Sequence, residues 1–239
     1  MYERLAGKTV VLTREPPDNA DLASRLRDRA AEIVEFPCVR TEALTDMREL
    51  AAALAELHED DWLVVTSRHG ADAVARCGPT RASVAAIGDS TAERLRGHGL
   101  RVAFQPSASS GTALARELAS CSGVVLLARS DRALPDLPRV LRERGFAVRE
   151  VVAYLTVVEV RGDIAHVRAL LADPRGGVAV LFHSPSAVEG MLGAIEAPLV
   201  ARASIHVLGR ATLRAARDAL GADGDISLME EEAARVANR

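Results

Sequence analysis

The sequence predicts an α/β protein of two open parallel sheets, each flanked by helices, related by an internal duplication. Three observations predict it. Short apolar runs of Val, Leu and Ile alternate with helical patterns, which suits strands covered on both faces and joined by helical crossovers. Aromatic residues are 3% of a chain that is 49% hydrophobic. The apolar mass is therefore Ala, Val and Leu, which disfavours a β-sandwich. Finally, three segments recur in the same order at a spacing close to about 115 residues, the signature of a repeat.

The first repeat pairs KTVVLTRE (8–15) with GVVLLARSD (123–131). Each is an apolar strand ending in an arginine, Arg14 or Arg129, with Thr13 just before the first. A polar, Pro-containing turn follows each strand. The helical patterns beyond them cover 21–36 and 134–151, and each runs into a second strand carrying a glutamate, Glu35 or Glu150. Two extended segments come next, 35–41 and 151–160, where Pro37 argues against helix in the first. They are read as crossings between lobes.

WLVVTSRHGADAV (62–74) pairs with AVLFHSPSAVEGM (179–191), with Ser67 opposite Ser184. VAAIGDSTAERLRGHG (84–99) pairs with IHVLGRATLRAARDALG (205–221). There Gly88 stands opposite Gly209, and Thr91 opposite Thr212. Each of these segments is a buried strand, a small or hydroxylated turn and a helix start. Gly97-His98-Gly99 reads as a helix C-cap. The charged tail from Ile226 reads as a terminal helix or a partly disordered end.

Several function classes are excluded. The net charge of −3 has no basic block, so nucleic acid is not a partner. Cys38, Cys77 and Cys121 form no CxxC pair, and the six histidines have no HxxxH or HExxH spacing, so no metal site is expected. The reading of the cysteines is reduced and intracellular. Neither GxGxxG after the first strand nor GxxxxGK[ST] occurs, and no GxSxG surrounds Ser67 or Ser184. No signal-peptide pattern opens the chain and no apolar run reaches a membrane-spanning length, so the protein is expected to be cytoplasmic, away from membranes.

The candidate site lies at the strand-to-helix turns Thr66-Ser67-Arg68, Gly88-Asp89-Ser90-Thr91, His183-Ser184-Pro185-Ser186 and Gly209-Arg210-Ala211-Thr212. Ser and Thr there serve as N-caps, and glycine permits tight turns. Four helix N-termini at the carboxyl ends of parallel strands also attract anions, so a substrate with several carboxylates fits. Capping and binding can coexist. Arg14 and Arg129 are either solvated turn residues or carboxylate partners. Tyr154 lies in the second crossing segment. It either packs on the strand or presents a phenol that can donate a proton.

The ordered set VVLTR, TSRHGADAV, AIGDSTAERLRGHGLRV followed by Pro106, LLARSDRA, RGFAVREVVAYLT, LFHSPSAVEGM and LGRATLRAAR resembles the uroporphyrinogen-III synthase family over nearly the whole chain. The resemblance implies two flavodoxin-like lobes joined by a two-stranded linker, one of 1–38 plus 159–239 and one of 41–154. It implies hydroxymethylbilane, a linear tetrapyrrole with eight carboxylates, as substrate. Ring A loses its hydroxyl as water, ring D attacks through its substituted carbon, a spiro intermediate fragments, and the ring closes with ring D inverted. No cofactor is implied. The protein would act as a monomer, with hydroxymethylbilane synthase as a transient partner. Tyr154 matches the family tyrosine thought to assist departure of the hydroxyl. Thr13, Arg14, Ser67, Arg68, Gly88, Thr91, Arg129, Ser184, Ser186, Gly209 and Thr212 are the implied substrate-binding positions.

The chain departs from the family at Arg68-His69, where an asparagine-like residue is usual, and at His183, where Thr is common. Position 210 is an arginine, and the C-terminus is read as lacking the family's closing strand and Pro-containing helix, ending in Glu230-Glu231-Glu232 and a short helix. These departures favour the alternative of a divergent or non-catalytic bilobed protein on the same scaffold, binding another anionic small molecule.

Overall fold

The computed structural model describes residues 3–30, 32–221 and 224–229. After a 3-10 turn at Glu3–Leu5, the elements are β1 (Thr9–Leu12), α1 (Pro16–Leu26), β2 (Glu32–Glu35), β3 (Val39–Ala43), α2 (Arg48–Ala55), β4 (Trp62–Val65), α3 (Arg68–Cys77), β5 (Ser83–Ala86), α4 (Asp89–Gly97), β6 (Val102–Phe104) and α5 (Gly111–Glu117). They continue with β7 (Val124–Ser130), α6 (Asp136–Glu143), β8 (Ala147–Val158), α7 (Ile164–Ala172), β9 (Val178–Phe182), α8 (Pro185–Ala194), α9 (Ala197–Val200), β10 (Ser204–Val207), α10 (Arg210–Leu220) and β11 (Ile226–Leu228).

Three boundaries differ from the sequence reading. The first helix starts at Pro16 and stops at Leu26, instead of filling 21–36. Pro at the first helical positions loses no hydrogen bond there, and β-branched Ile33 and Val34 belong to β2. The second helix is confined to Asp136–Glu143, because Gly145 takes φ +87° and turns the chain into β8. The closing strand, read as missing, is present: β11 pairs in parallel with β10, Ile205 opposite Ile226 and Val207 opposite Leu228. It is only three residues long, with Ser227 in its middle, and follows Gly224-Asp225, so its apolar run is too short to stand out. The tail beyond Met229, including Glu230-Glu231-Glu232, lies outside the described residues.

The chain divides into two units, Met1–Arg40 with Val157–Arg239, and Thr41–Thr156. In the first, five strands run in the order β11-β10-β9-β1-β2, with every pair parallel. Thr9 of β1 sits between Glu32 and Val178 in register. One face packs Phe182, Val180, Val11 and Ile205 under α7, α8 and α10; the other packs Val10, Leu12 and Leu181 under Leu22 and Leu26 of α1. All five residues of β9 are buried, as a central strand between two helical layers requires.

In the second unit six strands run β3-β8-β7-β4-β5-β6. The pairs β7–β8, β4–β7, β4–β5 and β5–β6 are parallel. Leu63, Val65, Leu126 and Ala128 face α2, α3 and α4. Val64, Val125 and Leu127 face α5 and α6, where Leu114, Leu118, Leu137 and Leu141 close the core. The crossing segment 151–160 falls mostly within the twelve-residue β8, and 35–41 runs from the end of β2 into β3.

Candidate active site

In the Thr41–Thr156 unit, parallel strands place β4, β5 and β7 with their carboxyl ends on one edge, and the helices that follow begin there. Ser67 caps α3: its Oγ accepts a hydrogen bond from Gly70 N–H at 3.0 Å. Glycine suits position 70 because a Cβ would stand 3.2 Å from both Ala128 O and the Val65 side chain. The first turn of α3, with Arg68 and His69, is thereby drawn close to the strand ends. Gly88 starts α4, and a Cβ on it would lie 2.9 Å from Ser109 Oγ, so the segment before α5 covers this turn closely.

Tyr154 lies toward the carboxyl end of β8, in register with Ser130. Its ring is half-buried against the α2–α4 core and tilted 47° to the His69 ring, with centroids 5.7 Å apart. The backbone around it is braced. Asp131 N–H donates to Tyr154 O at 3.3 Å, and the Asp131 carboxylate accepts from Thr156 N–H at 2.8 Å and Ser130 Oγ at 2.9 Å. The Ser130 and Thr156 hydroxyls are 2.7 Å apart. Sequence reasoning missed this brace and the His69 contact. The signal was the Ser-Asp pair at the end of β7 and the Thr two residues past Tyr154.

In the other unit, β1, β9 and β10 end together. Ser184 caps α8, its Oγ accepting from Ala187 N–H at 3.2 Å, and Ser186 is half-buried in the first turn. Gly209 precedes α10 with φ +95°, a left-handed conformation that glycine adopts without strain, and open space surrounds its α-carbon. Arg14 pairs with Asp18 at 3.9 Å. Buried Asn19 donates to Arg14 O at 2.9 Å and to Glu35 Oε2 at 2.7 Å, tying the ends of β1 and β2 together. His183 Nδ1 is enclosed without a hydrogen-bond partner among the described residues. Burial pushes this imidazole down to about 3, with Arg14 adding to the shift and Asp18 opposing it, so the ring is neutral at pH 7.

Four of the implied binding side chains are turned into the fold. Thr13 is fully buried, and its hydroxyl donates to Leu181 O at 2.7 Å, joining β1 to β9. Thr212 is 3% exposed, and its hydroxyl donates back to Leu208 O at 3.2 Å. Thr91 is 4% exposed. Arg129 is 5% exposed; it donates to Leu134 O and faces Glu150. The half-buried Arg14, Ser67, Arg68, Gly88, Ser184, Ser186 and Gly209 remain at the strand-end edges. Among the described residues, no three His, Cys, Asp or Glu side chains are grouped to hold a metal ion, and no helix is long and apolar enough to cross a membrane.

The family model described as uroporphyrinogen-III synthase HemD matches residues 20–222. The chain belongs to the uroporphyrinogen-III synthase family. Among relatives, the porphyrin biosynthesis protein HemD of Ruminiclostridium josui is 25% identical over 236 residues, spanning 91% of this chain and 45% of that protein. The chloroplastic uroporphyrinogen-III synthase of Oryza sativa subsp. japonica is 30% identical over 197 residues, spanning 77% of this chain and 63% of that one. The match thus spans less than two thirds of either relative's length.

Solved family structures share the fold. A mutant uroporphyrinogen III synthase from the extremely thermophilic bacterium Thermus thermophilus superposes with a TM-score of 0.61 at 20% identity, covering 96% of this chain and 99% of that one. The enzyme from Helicobacter pylori 26695 gives a TM-score of 0.57 at 17% identity, covering 97% of this chain and all of its own (100%). At these identities the likeness is one of mixed α/β architecture with parallel sheets.

Proposed function

We propose that this chain acts as a uroporphyrinogen-III synthase, a cyclising lyase that closes hydroxymethylbilane with loss of water and inversion of ring D, and needs no cofactor. The observation that carries this reading is the family match over residues 20–222. In the reading, Tyr154 donates its phenolic proton to the departing ring-A hydroxyl, which leaves as water. The electrophile so formed is attacked by the substituted carbon of ring D. The spiro intermediate then fragments and recloses. The pyrrole carbon at which the ring finally closes sheds its proton as that pyrrole regains aromaticity, and that proton restores the phenol. The substrate supplies the reactivity, so the protein contributes positioning and electrostatics.

In each unit taken by itself, substrate carboxylates would be met at helix N-termini: those of α3 and α4 in one, those of α8 and α10 in the other. Backbone N–H groups there carry the positive end of the helix dipole. Ser67, Arg68, Gly88, Ser184, Ser186, Gly209 and Arg14 are the proposed contacts. The enclosed Thr13, Thr91, Thr212 and Arg129 are assigned to the fold around them.

The two units are also proposed to be copies of one flavodoxin-like lobe. Numbered by the repeat, five strands of each sheet read 2-1-3-4-5, as β2-β1-β9-β10-β11 and β8-β7-β4-β5-β6, with β3 added beside β8 in the second. The lobe boundaries proposed from sequence, 38/41 and 154/159, lie within a few residues of the divisions at 40/41 and 156/157.

The test is to supply freshly made hydroxymethylbilane to the purified protein and identify the ring isomer by chromatography. Type III in excess supports the reading. Type I alone, the product of unaided closure, contradicts it.

A further inference from the structure

Tyr154 needs more than a place in a strand to act on a leaving group. The bracing hydrogen bonds from Asp131, Ser130 and Thr156 hold its backbone, but none of them holds its ring. An aromatic contact to the ring comes from a different element. His69, in the first turn of α3, meets the phenol ring at 5.7 Å between centroids and 47° between planes, within the range of favourable aromatic pairs. The cap at Ser67 and the close approach at Gly70 hold that turn against the strand ends, so the imidazole is carried on a rigid element.

We propose that His69 is a positioning residue whose ring fixes the orientation of the Tyr154 phenol, so that this chain sets its proton donor with an aromatic contact from α3. The proposal rests on the reading of Tyr154 as the proton donor. An aromatic ring at 69 is what the geometry demands; the charge of the imidazole is not part of the device. His69→Phe therefore keeps the function and His69→Ala loses it.

The experiment has a catalytic arm and a spectroscopic arm, both on the full chain. In the catalytic arm, His69→Ala lowers kcat for type III formation by about tenfold to a hundredfold, the scale of a misplaced reacting group, with KM changed less than about twofold. His69→Phe recovers most of that loss. In a Tyr154→Phe background, His69→Ala adds no further loss, as expected of a residue acting through Tyr154.

For the spectroscopic arm, Tyr2→Phe leaves Tyr154 as the sole tyrosine. The near-ultraviolet circular dichroism band lost on adding Tyr154→Phe is then its own, and such bands report fixed packing. That band weakens in His69→Ala and persists in His69→Phe. The proposal is overturned if His69→Phe is as slow as His69→Ala with far-ultraviolet dichroism intact, if the loss appears in KM, or if the band ignores both substitutions. Should the unsubstituted protein give type I alone, the functional reading fails, and the band still decides whether His69 orders Tyr154.

Discussion

Arg129 Nη1 stands 3.6 Å from Glu150 Oε2 across the β7–β8 pair, and the arginine is almost wholly enclosed. Burial holds its pKa below the usual guanidinium value, with Glu150 acting in the opposite direction. Glu150 is half-exposed and also bonds Arg142 at 2.9 Å, so it links a buried cation to the surface. The sequence repeat pairs Arg129 with Arg14 as candidate carboxylate partners for a ligand. Only Arg14 keeps appreciable exposure, and the partner of Arg129 is internal.

Glu150→Gln should lower stability by about 1–2 kcal/mol, the weight of a charge-assisted contact discounted for the exposure of one partner. Arg129→Lys should lower it too, since an ammonium cannot reproduce the fork to Leu134 O and Glu150. Urea unfolding measures both. An unchanged midpoint in either variant would show that the pair carries no stability.

Thr212→Ala separates folding from binding. Its hydroxyl donates to Leu208 O one turn back and is enclosed. Removing it should cost about 1 kcal/mol of stability and leave substrate affinity within about twofold. A large rise in KM with the melting temperature unchanged would return Thr212 to the binding surface.

Two imidazoles set an acid limit. Burial pushes His206 down to about 4, helped by Lys8 and Arg4 and opposed by Asp225, and pushes His183 down to about 3. The ordinary value is 6.5. Between these pH values the unfolded chain binds protons that the folded chain refuses. Stability is therefore full above pH 6.5 and falls as pH drops toward 4, by up to about 1.4 kcal/mol per pH unit for each ring. Urea midpoints between pH 7 and pH 4.5 test this. His206→Gln should flatten the slope, and an unaltered slope would assign it to other groups.

Much of the fold was legible in sequence because the repeat and the buried β-runs are local signals. Val10, Val11 and Leu12 announce β1 as plainly as Val125, Leu126 and Leu127 announce β7. What escaped was non-local or too short. β11 has three residues and is secured by β10, and no periodicity survives in so short a run. The strand-to-helix turns were legible, but their side-chain directions were not. Ser67 and Ser184 do cap helices, whereas Thr13, Thr91, Thr212 and Arg129 point inward, a choice made by the packing around them. His69 carried no motif, and only the approach of α3 to β8 makes it a neighbour of Tyr154.

Tyr154→Phe should slow type III formation by about tenfold to a thousandfold, as loss of a general acid does, while leaving the fold intact. As the enzymatic step slows, unaided closure competes and the product drifts toward type I. Full rate and full type III yield in this variant would remove Tyr154 from the chemistry without removing the activity.

The most direct test of the central claim is the isomer made from hydroxymethylbilane by the unsubstituted protein. Ring closure alone is uninformative, because the free bilane closes by itself without rearrangement. Inversion of ring D requires that the substituted carbon be made the attacking atom. Chromatography of the oxidised product should show type III in excess over the protein-free control. A folded protein that yields only type I, at the rate of that control, would contradict the account.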